Sequence, residues 1–165
     1  MQWVREGGNE AFVVRDLNGN GVVDNGSELF GNGTQMSIAA AAMPDIDKFT
    51  PPHILAGLLA TDGFAALAQY DQLALGGNGD GVISIDDDIW SELTLWLDSN
   101  ADAVSTSDEM RYFEDVGITH LDIIPKSNGR TDKAGNSIVL WSWATDENGS
   151  GNTKYKMVDV FFKLR

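Results

Sequence analysis

The sequence predicts an α+β fold: paired helix-loop-helix units, preceded by an N-terminal hairpin with its own loop and followed by a small antiparallel C-terminal sheet. Three observations predict it. In three separate runs, oxygen-bearing side chains alternate and then give way to a small residue. Apolar residues recur at three- and four-residue spacings around the second and third runs, and the last third changes to alternating segments separated by turn residues. At 165 residues and 42% hydrophobic content, the chain suits a single domain with a real core. Its expected parts are 1–31 (hairpin and first loop), 32–61 (an irregular excursion), 62–117 (the paired unit) and 118–165 (the sheet).

Residues 3–15 alternate loosely around Gly7-Gly8-Asn9 and read as a hairpin, whose second strand, Ala11-Phe12-Val13-Val14, enters the first loop. From Asp62 the pattern is helical, with Phe64, Leu67, Ala68 and Tyr70 on one face. Ile89, Trp90, Leu93, Trp96 and Leu97 predict a second helix, and a third over 108–115 ends at Gly117. Residues 118–124, 137–143 and 154–162 read as strands, with turns at Asn128-Gly129 and 147–151. Trp141 and Trp143, two apart on one strand, share a face and are expected in the core.

The first run, Asp16-Leu17-Asn18-Gly19-Asn20-Gly21-Val22, places oxygens at positions one, three and five, then glycine, then a residue offering its backbone carbonyl. This is the pattern by which an EF-hand loop wraps a hard cation. Asp24 adds an oxygen, and Glu28 stands one residue beyond the usual twelfth place, a shift that Gly26 can absorb. In the second run Asn78, Asp80, Gly81 and Val82 take positions three, five, six and seven, and Asp87 takes the twelfth. Position one falls on Gly76, which has no side-chain oxygen, so Asp71 must reach in over an extruded bulge. A terminal Asp reaches less far than Glu, which predicts weaker Ca2+ binding and tolerance of Mg2+. The third run carries Asp98, Asn100, Asp102, Val104, Thr106 and Glu109, but has Ala103 where glycine belongs. A left-handed alanine there costs about 1–2 kcal/mol.

Charge agrees with a cation as partner. The chain has 25 acidic against 11 basic residues, a formal net charge of -14, which argues against nucleic acid and anionic membranes. Eleven of the acids lie in or beside the three runs, where they repel one another without a counterion. There is no cysteine, hence no disulfide and no thiolate metal site. His53 and His120 are isolated and read as structural or surface residues, so zinc is not expected. No signal peptide and no membrane-spanning run is present, so export would use a signal outside this chain. Serine–histidine nucleophilic sets and phosphate-cradling loops find no support.

Residues 16–31, ending in Glu28-Leu29-Phe30-Gly31, together with Gly63-Phe64-Ala65-Ala66-Leu67-Ala68, residues 76–83, Leu95-Trp96-Leu97-Asp98-Ser99-Asn100, Glu114-Asp115-Val116-Gly117-Ile118 and Asp159-Val160-Phe161, resemble an EF-hand-like module. That module is found in secreted bacterial proteins of the RTX haemolysin and adhesin type and in Rhs-like exoproteins. The resemblance implies a calcium-binding, non-enzymatic structural module, secreted or at the cell surface, with calcium ions and neighbouring domains of a larger exoprotein as partners. It also implies an alternative, since some relatives are self-processing modules that promote cleavage of an upstream Asp-Pro bond. The prolines here, at 44, 51, 52 and 125, follow Met, Thr, Pro and Ile.

Overall fold

The computed structural model describes residues 8–37, 59–132, 135–146 and 154–161; the middle of the expected 32–61 excursion, His53 and the 147–151 turn lie outside them. Eight strands and one short helix are seen among these residues: β1 (Phe12–Arg15), α1 (Gly63–Ala68), β2 (Val82–Ser84), β3 (Leu93–Trp96), β4 (Met110–Arg111), β5 (His120–Asp122), β6 (Lys126–Thr131), β7 (Ser137–Thr145) and β8 (Lys154–Phe161). The architecture is mainly antiparallel sheet, and the paired helix-loop-helix units are not present. This corrects the expected EF-hand-like fold.

Only the first of the three expected helices forms. Asp62 caps α1 by accepting a bond from the Ala65 amide at 2.8 Å. The second is replaced by a 3-10 turn, Asp88–Glu92, and then β3. Leu93, Leu95 and Trp96 are all buried there, and β3 pairs along its whole length with β1, from Phe12↔Trp96 to Arg15↔Leu93. A four-residue apolar segment fits either period, and the neighbouring strand decides between them. The third becomes two 3-10 turns around β4, ending at left-handed Gly117 (φ 72°).

One sheet has the order β1-β3-β4, with Leu29 bridging to Val14 on the outer side of β1. In the other, β2 pairs with β5, while β5 and β6 follow one another along one edge of β7 and β8 lies along the opposite edge. The antiparallel C-terminal strands stand as expected. The Asn128-Gly129 turn is instead a register shift inside β6, between Ser127 and Arg130. Leu67, Tyr70, Ile83, Trp90, Leu93, Leu95, Phe113, Leu121 and Ala144 form the core that joins both sheets and α1. Trp90 stacks on Phe113 at 4.9 Å and donates to Glu114 at 3.0 Å.

Trp141 and Trp143 are not in that core. Their strand neighbours Ser142 and Ala144 are the buried ones, and strand alternation puts the two indoles on the outward face of β7. Val139 and Val158 are exposed as well.

Candidate metal centre

Loops one and three are turns closing strands rather than helices, while loop two runs from α1 and the 3-10 turn Gln69–Asp71 into β2. Loop one leaves β1 and returns at Leu29; loop three leaves β3 and returns in β4, where Trp96 pairs with Met110. The shift that carries Asp16 onto Asp98 also carries Val14 onto Trp96 and leaves the β1–β3 register unchanged. It carries Val23 onto Ser105 as well, and the Val23 amide donates to Ser105 Oγ at 3.0 Å. Loops one and three are therefore a pseudo-two-fold pair meeting at their eighth positions. Loop two feeds β2 and the other sheet.

The interiors of the loops repeat one hydrogen-bond scheme. The first carboxylate accepts from the fifth and sixth amides: Asp16 from Asn20 and Gly21 (3.3 and 2.7 Å), Asp98 from Asp102 and Ala103 (3.1 and 3.1 Å). Asp71 does the same from Asp80 and Gly81 (3.1 and 3.0 Å). Third-position Asn18, Asn78 and Asn100 each accept from the fifth amide at 3.0 Å. Fifth-position Asn20, Asp80 and Asp102 accept from Val22, Val82 and Val104 at 2.8–3.0 Å.

The closing carboxylates fold back over the same loops. Glu28 accepts from Leu17 and Asp24 at 3.1 and 2.7 Å, Glu109 from Ser99 at 3.1 Å and from Trp96 Nε1 at 3.4 Å. Asp87 accepts from Asn78 and Ser84 at 3.2 and 2.8 Å. Asn25, whose side chain accepts from the Ser27 amide, caps the 3-10 turn Gly26–Glu28 that brings the late glutamate home.

The bulge expected before loop two is present, and it shows why two glycines are needed. The chain turns out after Asp71, and the Leu75 and Gly77 amides both return to Gln72 O (2.9 and 3.1 Å), while Gly79 N reaches Asp71 O at 2.7 Å. Gly76 is left-handed (φ 83°), and a Cβ there would strike the Asp88 side chain. One on Gly77 would strike the Asp71 and Tyr70 main chain. Loop three shows the expected strain twice, since Ala103 (φ 59°) and also Ala101 (φ 57°) are left-handed where loops one and two have glycine.

Glu28, Asp71, Asp87, Asp98 and Glu109 are buried, and among the described residues none of them is ion-paired with Lys or Arg; the Arg15–Glu92 pair at 2.6 Å lies elsewhere. Burial pushes the Asp87 carboxyl up, and the charges of Asp71 and Asp80 push it the same way against the Ser84 and Asn78 amides. In loop one the Gly21 amide, with those of Gly19, Asn20 and Asn18, holds Asp16 below the usual carboxylate range despite opposing desolvation. Buried charges of one sign call for a counter-charge.

Among the described residues no three His, Cys, Asp or Glu side chains are gathered as a ready-made cluster. The loops instead mix carboxylates, amide oxygens and main-chain carbonyls, an all-oxygen set that fits a hard cation such as calcium. Asn18 and Asn20 Nδ2 donate to Asp24 Oδ2 at 2.6 and 2.8 Å, Asn78 to Asp80 and Asn100 to Asp102 at 2.9 Å. A cation would take the place of those amide donors. The structure thus brings Asp16, Asn18, Asn20, Val22, Asp24 and Glu28 together, likewise Asp71, Asn78, Asp80, Val82 and Asp87, and likewise Asp98, Asn100, Asp102, Val104 and Glu109. Thr106 joins only through its carbonyl, which accepts from Glu109 at 3.0 Å. Ser105 was legible as a departure from the apolar eighth position, but not as the link between loops.

Outside the loops, buried Asp159 accepts from the Gly63 amide at 3.0 Å, and among the described residues its second oxygen has no hydrogen-bond partner. Burial raises its carboxyl above the ordinary value, opposed by the Gly63 amide and aided by Asp62.

No helix among the described residues is long and apolar enough to cross a membrane. The chain is 34% identical over 151 residues to the Iron-regulated protein FrpA of Neisseria meningitidis serogroup C; the match covers 92% of this chain and 11% of that protein, so the chain spans about a tenth of the relative's length. The SPM domain family matches residues 1–163. The family that matches is not an EF-hand or RTX family, which corrects the resemblance drawn from the loop motifs alone. With a match that runs over nearly its whole length, the chain belongs to the SPM domain family.

Proposed function

We propose that this is a calcium-binding structural module of an exported protein, folded or stabilised by cations held at the three loops. The observation that supports it is the repetition of one scheme three times, with five buried loop carboxylates that, among the described residues, are not ion-paired with Lys or Arg. Asp16, Asn18, Asn20, Asp24, Glu28 and the Val22 carbonyl would hold the first ion. Asp71, Asn78, Asp80, Asp87 and the Val82 carbonyl would hold the second, with Mg2+ also tolerated. Asp98, Asn100, Asp102, Glu109 and the Val104 carbonyl would hold the third. The ion supplies positive charge, and the chain supplies a fold in which that charge is needed. A site whose dissociation constant is one hundredth of the ambient calcium adds about 2.7 kcal/mol to stability. Low calcium inside a cell would leave the domain loose for export, and millimolar calcium outside would fold it.

Calorimetric titration of the chelated protein with calcium, alongside circular dichroism, tests this reading. Saturable binding with a gain of structure is expected; no heat and no structural change would remove it. The self-processing alternative is tested by fusing an Asp-Pro leader upstream and adding calcium, where an intact fusion argues against it.

A further inference from the structure

The outward face of the C-terminal sheet carries a surface that the calcium reading does not use. Trp141 and Trp143 lie there with ring centroids 5.4 Å apart in an edge-on arrangement. Three ammonium groups cover the rings: Lys126 at 5.2 Å and Lys156 at 4.6 Å from Trp141, and Lys154 at 4.4 Å from Trp143. They come from both strands flanking β7, since Lys126 is opposite Trp141 and Lys156 opposite Trp143. Val158, opposite Trp141, adds an exposed apolar patch.

The anomaly is electrostatic. Acids outnumber bases 25 to 11 in this chain, yet seven of the 11 bases and only four of the 25 acids fall in residues 126–165. Among the described residues, Lys126, Lys154 and Lys156 make no ion pair with a carboxylate, although carboxylates are the commonest charged groups on the molecule. Charge asymmetry of this kind is a property of surfaces that meet other surfaces.

We infer that this face docks an acidic polypeptide segment, whose carboxylates meet the three ammonium groups and whose apolar side chains rest on Val158 and the indole edges. Charge complementarity commits the surface to a carboxylate-bearing chain. Sugar stacking would compete with the ammonium groups that lie over both rings. An extended anionic membrane or duplex feels the charge of the whole chain, and residues 1–125 hold 21 acids and four bases. A short acidic segment approaches the sheet alone, within a Debye length of about 8 Å at physiological salt. Cation–π anchoring holds the ammonium groups in place, and so lowers the ordering cost of binding.

The test uses the whole chain with calcium present, a fluorescent synthetic peptide of alternating Glu and Leu-Glu-Asp units, and anisotropy at 0.05 and 0.15 M salt. Saturable binding that weakens with salt and falls at least tenfold in a K154Q/K156Q variant of unchanged circular dichroism supports the proposal. W141A gives an independent check, expected to weaken binding by several-fold. No binding to the peptide would overturn it, as would equal binding by heparin of matched charge or equal binding by K154Q/K156Q. Self-association lost in the same variant, measured by sedimentation without peptide, would overturn it in favour of a second copy as occupant. Calcium binding measured on the same samples reports separately on the loops.

Discussion

Replacing Ala101 and Ala103 by glycine should strengthen the third loop. Both alanines sit near φ +58°, where the Cβ crowds the following carbonyl at a cost of about 1–2 kcal/mol each. Glycine relieves that cost but adds about 0.4–1 kcal/mol of unfolded-chain entropy. The net gain is about 0.5–1 kcal/mol per site, or about 1–2 kcal/mol for A101G/A103G. In a chain of this size that raises the melting temperature by about 2–8 °C. If the loop orders only on binding, the same energy appears as a rise of about 5- to 30-fold in its calcium affinity. The converse experiment is unusually clean, because among the described residues no atom beyond the chain neighbours lies within 4 Å of a Cβ added at Gly19 (φ 73°) or Gly21 (φ 79°). G19A and G21A should therefore each lose about 0.5–1 kcal/mol net, the backbone strain less the unfolded-chain entropy term. Thermal melts with calcium and with chelator check both directions. A double glycine variant that melts no higher than the parent, beside harmless G19A and G21A, would refute the left-handed assignment.

Asp71→Ala should cost about 2–3 kcal/mol in urea denaturation, because it strips the acceptor from three amides. G77A should cost as much, while exposed Q72A should not; equality of all three would sink the bulge argument. Asp16→Ala should weaken calcium binding at the third loop by at least threefold and leave the second unchanged, since only loops one and three share the Val23–Ser105 bond. The amide resonances of Ala103 and Gly81 during titration report each loop, and an equal effect on both would refute the pairing. For Asp159 the folded-state carboxyl titrates above the unfolded one. The folded state therefore holds more protons, and its contribution is fully present below about pH 3.9 and lost as pH rises through the folded value. Asp159→Asn should accordingly melt above the parent at pH 7, a difference that closes at acid pH; a gap independent of pH would refute it.

The loops were legible because they are local. Alternating oxygens, left-handed glycines and a closing carboxylate are fixed by spacing within a dozen residues, so even the reach of Asp71 across its bulge could be read from the missing oxygen at Gly76. The flanking elements were not legible in the same way. Ile89, Trp90, Leu93 and Trp96 carry a helical period, but β1 offers a paired edge that a four-residue segment satisfies better as strand. The short stretch Met110-Arg111 becomes β4 for the same reason. Trp141 and Trp143 were placed on one face correctly, but which face is buried depends on Ala144 reaching the core across β5. That partnership is set by residues far away in the sequence, and composition could not have revealed it.

The extruded segment between Asp71 and Asn78 separates where the chain is long from where it is constrained. Gly76 and Gly77 are pinned, but the tip is not: Leu73 is 81% exposed. Asp71 and Asn78 on either side are held by bonds that the tip does not touch, from the Gly79 amide to Asp71 O and from the Asn78 amide to Asp87. The interval from Leu73 to Ala74 is thus a natural port for grafting. A peptide tag or environment-sensitive fluorophore inserted there would ride on the ordering of the loop, and would turn the domain into a reporter of its own folding.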